Sequence, residues 1–325
     1  MPVRSTRART VALVAAVLVC GLFAWVWRDP MAPLRGAMAL QGWWIGLTEA
    51  RVRIGDHRWA YDEREAEAPG APTVVLVHGF TGSKENWYPL AERLGGHYRL
   101  VIPDLPGWGE SQRIAGADYG FLAQADRLAQ FLKAIKREGS PIALVGHSMG
   151  GGIVALVAAD HPDLVARVAL IDAAGVRFRD NRFGQAVLAG QNPFAVHDEA
   201  SLQRYLDTVF NDRAAQPALP WPVSRAVIDW RIAQAPFEQQ VLDRIGRSSE
   251  RFLPGEAAAA IRQPALLLWC RQDRVIDASA MALYAAQMPH ALQVSLDGCG
   301  HMSIIERPDD VAASVALLIQ RGTAR

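Results

Sequence analysis

The sequence predicts an α/β protein. It reads as a doubly wound, mostly parallel sheet with a helical insertion, preceded by an N-terminal transmembrane helix. Three observations carry this reading. Short apolar runs such as "TVVLV" (73–77), "IALVG" (142–146) and "ALLLWC" (265–270) are continuous and not alternating, as expected of parallel strands buried on both faces. Amphipathic stretches such as "FLAQADRLAQFLKAIKRE" (121–138) fall between them, and strands alternating with helices build a doubly wound sheet. Residues 11–27, "VALVAAVLVCGLFAWVW", contain no charge.

That uncharged run comes first in the chain. Its 17 residues make roughly 25 Å of helix, the short end of a membrane span. Arg4, Arg7 and Arg9 precede it, and Trp25 and Trp27 stand where an interfacial aromatic belt would. Three readings stay open, one of them a soluble core helix. An uncleaved anchor would place everything after about residue 30 on the outer, periplasmic side. A cleaved signal peptide would give a secreted protein, although the run ends in bulky residues and the nearest A-x-A, Ala37 to Ala39, lies beyond Arg28, Asp29 and Arg35. Residues 31–48 then read as a linker helix skirting the membrane. "RVRIGDHRWAYDER" (51–64) alternates around a Gly-Asp turn, a hairpin signal. Further strands are expected in "YRLVIPD" (98–104), "VARVALID" (165–172) and "LQVSL" (292–296).

The rhythm breaks between 175 and 260. That stretch holds helical segments (199–210, 223–245), no clear strand, and six of the ten phenylalanines with two tryptophans. It divides the expected organisation into an anchor or signal segment (1–30), the linker helix (31–48), a first core part (49–174), a helical cap (175–260) and a second core part (261–325). The cap aromatics are Phe178, Phe183, Phe194, Phe210, Trp221, Trp230, Phe237 and Phe252. Most are expected to pack the cap's own core, the remainder to line a pocket.

Composition excludes several classes. A net charge of +1 offers no bulk attraction to nucleic acid, and only Lys84, Lys133 and Lys136 among 34 basic residues are lysine. Three scattered cysteines, Cys20, Cys270 and Cys299, are too few for a disulfide framework or a zinc cluster. No metal motif is present, and no cofactor is implied.

The chemistry sits in "IALVGHSMGGGIVALVAAD" (142–160). Gly146-His147-Ser148-Met149-Gly150 has the G-x-S-x-G form of a strained strand-to-helix turn that lifts a serine hydroxyl clear of a sheet. A serine nucleophile needs a base, and the base needs an orienting carboxylate. Of eight histidines, His301 stands out in the glycine-bracketed loop "LDGCGHMSIIERP" before the last helix. His78 and His147 lie inside turns and read as turn-shaping. His57, His97, His161, His197 and His290 read as surface or packing residues. For the carboxylate, Asp273 follows a buried strand at the edge where ligands bind such sheets, with Asp172 and Asp297 as rivals. "LVHGFTG" (76–82) offers the Phe80 backbone N–H, to pair with that of Met149 as an oxyanion hole.

Taken together, "LVHGFTGSKENW", "VIPDLPGWGES", "LVGHSMGGGIV", "RQDRVID" and "GCGHMSIIERP" resemble the α/β-hydrolase superfamily, most closely its membrane-anchored monoacylglycerol lipase and bacterial lipase-esterase branch. The resemblance runs from about residue 50 to 320 and is weakest over the cap. It implies an α/β-hydrolase fold and a serine esterase or lipase acting on lipid-like or acylglycerol esters, with Ser148, Asp273 and His301 as triad. Asp104 of "PDLPGWGES" is expected to be structural. A C–C bond hydrolase, a perhydrolase or a non-catalytic binding protein on the same scaffold would carry the same motifs.

Overall fold

A computed structural model describes residues 3–321, apart from the side chains of residues 3–7, 9, 18, 19 and 22–24. Two helices lead the chain, α1 (Val3–Arg28) and α2 (Ala32–Trp44). Among the described residues no helix is long and apolar enough to cross a membrane. The membrane span expected over 11–27 is therefore not supported by the fold, and part of that run lies on side chains outside the described residues.

A hairpin follows, β1 (Thr48–Ile54) and β2 (His57–Arg64), turning at Gly55 with φ +58°. The remaining strands are β3 (Thr73–Val77), β4 (Arg99–Pro103), β5 (Ile142–His147), β6 (Arg167–Ile171), β7 (Ala265–Cys270) and β8 (Leu292–Leu296). They form one eight-stranded sheet in the order β1-β2-β4-β3-β5-β6-β7-β8, antiparallel only where β2 pairs with β1 and β4. From β4 to β8 every pairing is parallel.

Successive residues of a strand point to opposite faces, and here both faces are covered. Val75, Val77, Leu144, Leu170 and Trp269 face one core, packed by α4 (Phe121–Ile135), α5 (Met149–Asp160) and α10 (Ser279–Gln287). Val74, Leu76, Val145, Ile171 and Leu268 face the other, closed by α3 (Tyr88–Leu94) and α12 (Pro308–Gln320). That double burial is why these strands read as unbroken apolar runs.

Between β6 and β7 the chain is helical: α6 (Arg182–Leu188), α7 (Glu199–Val209), α8 (Val223–Arg247) and α9 (Leu253–Ala257). Asp198 and Ser201 form a capping box that starts α7. The buried pair Arg231–Glu238 at 3.0 Å, with Arg231 also donating to the Phe194 carbonyl, ties α8 to the loop before α7. A short helix α11 (Ser303–Glu306) precedes α12.

Two cysteines that sequence spacing leaves unpaired are joined in the fold. Cys270 ends β7, Cys299 follows β8, and pairing of these neighbouring strands brings their Cα atoms to 5.5 Å in a disulfide. Cys20 is free and exposed.

Candidate active site

The site begins with the turn from β5 into α5. Ser148 has φ +55° and ψ −122°, a conformation that a non-glycine residue holds only under local constraint. The constraint is visible in its bonds: Ser148 N–H donates to the Ile171 carbonyl at 3.0 Å, and the Ser148 carbonyl accepts from Gly152 and Ala174. The flanking glycines are required by close approach. A Cβ on Gly146 would lie 2.4 Å from the Gly150 carbonyl oxygen, and one on Gly150 would lie 2.4 Å from the carbonyl oxygens of Val77 and His78. The hydroxyl is thereby raised at the carboxyl edge of the sheet, where α5 begins.

The loops after β7 and β8 complete the cluster. The Ser148 hydroxyl lies 2.9 Å from His301 Nε2, and His301 Nδ1 lies 2.8 Å from Asp273 Oδ2. Asp273 Oδ1 accepts the N–H groups of Val275 (2.7 Å) and Ile276 (3.0 Å), so both carboxylate oxygens are held. Burial pushes the Asp273 carboxyl up, and these two N–H donors pull it back toward ionisation. Burial pushes His301 down to about 3, which leaves its resting ring neutral, with Nδ1–H toward Asp273 and Nε2 open to accept from the serine.

The rival carboxylates lie elsewhere. Asp172, fully buried, accepts from Cys270 N–H at 2.9 Å and from the Ser303 hydroxyl. It therefore bridges the two loops that carry Asp273 and His301 without bonding the imidazole. Asp297 is turned outward to Gln272. The disulfide joins the same two loops, three residues before Asp273 and two before His301.

The turn histidines are buried and neutral. Burial pushes His78 down to about 4; its Nδ1–H donates to Gly79 and its Nε2 accepts from Leu105 N–H. His147, pushed down to about 3 by burial, donates from Nε2 to the His301 carbonyl at 2.6 Å. Asp104 accepts the N–H groups of Lys84 and Glu110 and sits 3.6 Å from the Lys84 ammonium, bracing the loop beyond β3. Among the described residues, the N–H groups of Phe80 and Met149 have no partner in the protein.

The serine opens on a cavity of about 300 Å³, walled by Phe80, Met149 and Phe121 from the core and by Phe178, Phe183, Phe194 and Phe252 from the helical segment. Four of the eight aromatics expected mainly to pack that segment internally thus line the cavity. Phe237 packs against Trp108 and Tyr119, while Trp221 and Trp230 are exposed at 62% and 46%. No cluster of metal-ligating side chains occurs among the described residues.

Residues 72–308 match the alpha/beta hydrolase fold family. The chain belongs to the α/β-hydrolase family. Within it, this hydrolase is 31% identical to Lipase 1 of Psychrobacter immobilis over 74% of each chain. It is 26% identical to monoacylglycerol lipase ABHD6 of Rattus norvegicus, over 90% of this chain and 84% of that one. Among solved structures it resembles a membrane phospholipase A described as a bacterial virulence factor, with a TM-score of 0.82, 33% identity and coverage of 95% of this chain and 98% of that one. The α/β-hydrolase described here is an enzyme of the lipase and esterase class.

Proposed function

We propose that this enzyme hydrolyses lipid-like carboxylic esters through an acyl-enzyme on Ser148. The observation that carries the reading is the hydrogen-bonded chain Ser148–His301–Asp273 opening on an apolar cavity. His301 Nε2 takes the proton as Ser148 Oγ attacks the ester carbonyl. The oxyanion collects the N–H groups of Phe80 and Met149, each such donor worth roughly 3 kcal/mol of barrier. Collapse expels the alkoxide, which takes the proton from His301. Water, deprotonated by the same ring, then releases the acid. Asp273 holds the ring in the tautomer that both steps need.

The cavity supports an acyl chain as its occupant. Its wall is mostly phenylalanine and aliphatic side chains, and each methylene that enters gains about 0.8 kcal/mol, up to roughly fourfold in kcat/KM. A series of p-nitrophenyl and glycerol esters should therefore favour medium or long chains over acetate. Fastest turnover of acetyl esters, with no gain per methylene, would reject the lipid reading. Ser148→Ala should lose more than about 10³ in kcat and all labelling by a fluorophosphonate. Near-wild-type turnover by that variant would end the serine mechanism.

The working surface of this reading is a membrane. The uncharged run 11–27 behind three arginines supports an N-terminal anchor with the catalytic part on the outer side. The buried Cys270–Cys299 disulfide supports the same side, since such bonds persist in oxidising compartments.

A further inference from the structure

The turn that carries the Phe80 N–H holds a residue in an uncommon conformation. Gly82 N–H donates to the Gly79 carbonyl at 3.2 Å, which puts Phe80 and Thr81 at the two corners of a four-residue turn. Thr81 stands at the second corner with φ +59°. Glycine or asparagine usually takes that corner, and a β-branched residue persists there only where its surroundings hold it. The turn also lies directly on the nucleophile, since a Cβ on Gly79 would come to 2.8 Å from the Ser148 Cβ. A rotation at Thr81 therefore moves a small closed ring of residues, the Phe80 amide included, beside the reacting atoms.

What holds the turn comes from the helical segment. The hydroxyls of Thr81 and Tyr205, the latter on α7, are hydrogen-bonded at 3.2 Å. Phe194 packs its ring on Phe80 at 5.5 Å and meets the Tyr205 ring edge to face at 5.8 Å. The Arg231 guanidinium lies over the Tyr205 ring at 4.9 Å and is itself fixed by its buried pair with Glu238. The far end of α7 is tied to the loop of His301. Met302 N–H donates to the Val209 carbonyl at 3.0 Å, and the Glu306 carboxylate accepts the N–H groups of Asn211 (2.9 Å), Asp212 (2.7 Å) and Gly300 (2.7 Å). One helix thus spans from the base loop to the turn that presents the Phe80 N–H.

We propose that Tyr205 is a positioning residue for the oxyanion hole: through its bond to Thr81 it locks the turn so that the Phe80 N–H stays aimed at the developing oxyanion. Such a donor must stand about 2.7–3.1 Å from where the oxyanion forms, so a small tilt of the turn is enough to weaken it. Neither Tyr205 nor Thr81 walls the cavity, so the pair acts through Phe80 and not on the acyl chain. The helical segment then has two separate tasks. Its phenylalanines receive the substrate, and α7 sets the geometry of the transition-state contacts. This role rests on the serine ester-hydrolase reading above and adds a residue to it.

The test removes the bond from either end in the full chain, held in neutral detergent micelles. Tyr205→Phe keeps the ring between Phe194 and Arg231 and deletes only the hydroxyl. It should lower kcat on a p-nitrophenyl ester by about tenfold with KM within about twofold, the mark of a contact made in the transition state alone. An alkyl trifluoromethyl ketone, whose adduct on Ser148 carries an oxyanion, should bind more weakly by a similar factor. Thr81→Val should reproduce both losses, and Thr81→Ser, which restores the hydroxyl, should stay within about twofold of wild type. The double variant Tyr205→Phe/Thr81→Val should lose no more than the larger single loss, because both changes break one bond. Unchanged kcat in Tyr205→Phe overturns the role. So does a rise in KM at constant kcat, a kcat loss that leaves ketone affinity intact, or single losses that multiply in the double variant. Hydrolysis by the wild-type protein, lost in Ser148→Ala, tests the ester reading separately. With that hydrolysis intact and Tyr205→Phe at wild-type kcat, only the positioning role fails.

Discussion

Asp273, Asp172 and Asp297 show how much one side chain's direction decides. All three are carboxylates near the His301 loop, yet only Asp273 bonds the imidazole. Asp273→Asn should therefore cost up to about 10⁴ in kcat, because asparagine can stabilise the wrong tautomer. Asp297→Asn, at an outward-facing position, should leave turnover near wild type. Asp172→Asn should act on stability, by roughly 1–3 kcal/mol, with kcat within tenfold, because its buried bonds brace Cys270 and Ser303. Steady-state kinetics beside urea unfolding separates the three, and a kcat collapse only in Asp172→Asn would move the triad acid. The same site sets the pH profile. In the proposed mechanism His301 works as a neutral base, and burial pushes it from 6.5 down to about 3. Protonation then switches turnover off only as pH falls well below the ordinary imidazole range. kcat/KM should hold from about pH 7 to about pH 5.5, and an acid limb centred at or above the ordinary value would contradict a buried, neutral ring.

At the scale of elements, β7 and β8 matter most, since their pairing aligns the two loops that carry Asp273 and His301. Two braces hold those loops together: the Asp172 bonds and the Cys270–Cys299 disulfide, which closes a loop of 29 residues. In the chain-entropy account such a closure stabilises by about 3–4 kcal/mol. Cys270→Ala/Cys299→Ala should lower unfolding stability by that order and also reduce kcat by about tenfold with KM little changed, because small misplacements of catalytic groups are expensive. Finding three free thiols in the denatured, unreduced protein would remove the brace. This element also shows where reading the sequence stops. The central strands are legible because each is apolar on both faces, and the elbow because its glycines flank a serine between strand and helix. Cys270 and Cys299 become partners only through strand pairing, which no spacing rule encodes. The helical segment is legible as helix. Which of its phenylalanines wall the cavity is not legible, because a side chain facing a cavity and one facing a core obey the same apolar pattern.

The whole molecule presents its apolar surface unevenly. Leu40, Trp43 and Trp44 of α2 are exposed at 62%, 70% and 76%, and Val11, Leu13, Val17, Trp25 and Trp27 of α1 are exposed too. The helical segment joins this surface through Trp221, which is exposed at 62% and meets Trp27 edge to face at 5.9 Å. Tryptophans are favoured at the level of lipid head groups, where one edge is wet and the ring is not. An anchor that enters the bilayer through 11–27 would hold α2 and Trp221 against the membrane surface, beside the segment that walls the cavity. The full chain should then sediment with membranes and resist extraction by about 1 M salt, because screening weakens charge contacts and not apolar burial. A chain beginning at about residue 31 should leave the pellet but keep weak, salt-resistant affinity for neutral vesicles through α2, and Trp43→Ser/Trp44→Ser should abolish that remainder. Extraction of the full chain by salt alone would reject the anchor. Recovery of a mature chain beginning near residue 28 or 40 would show instead that the apolar run is a removed signal, leaving α2 and Trp221 as the only membrane contacts.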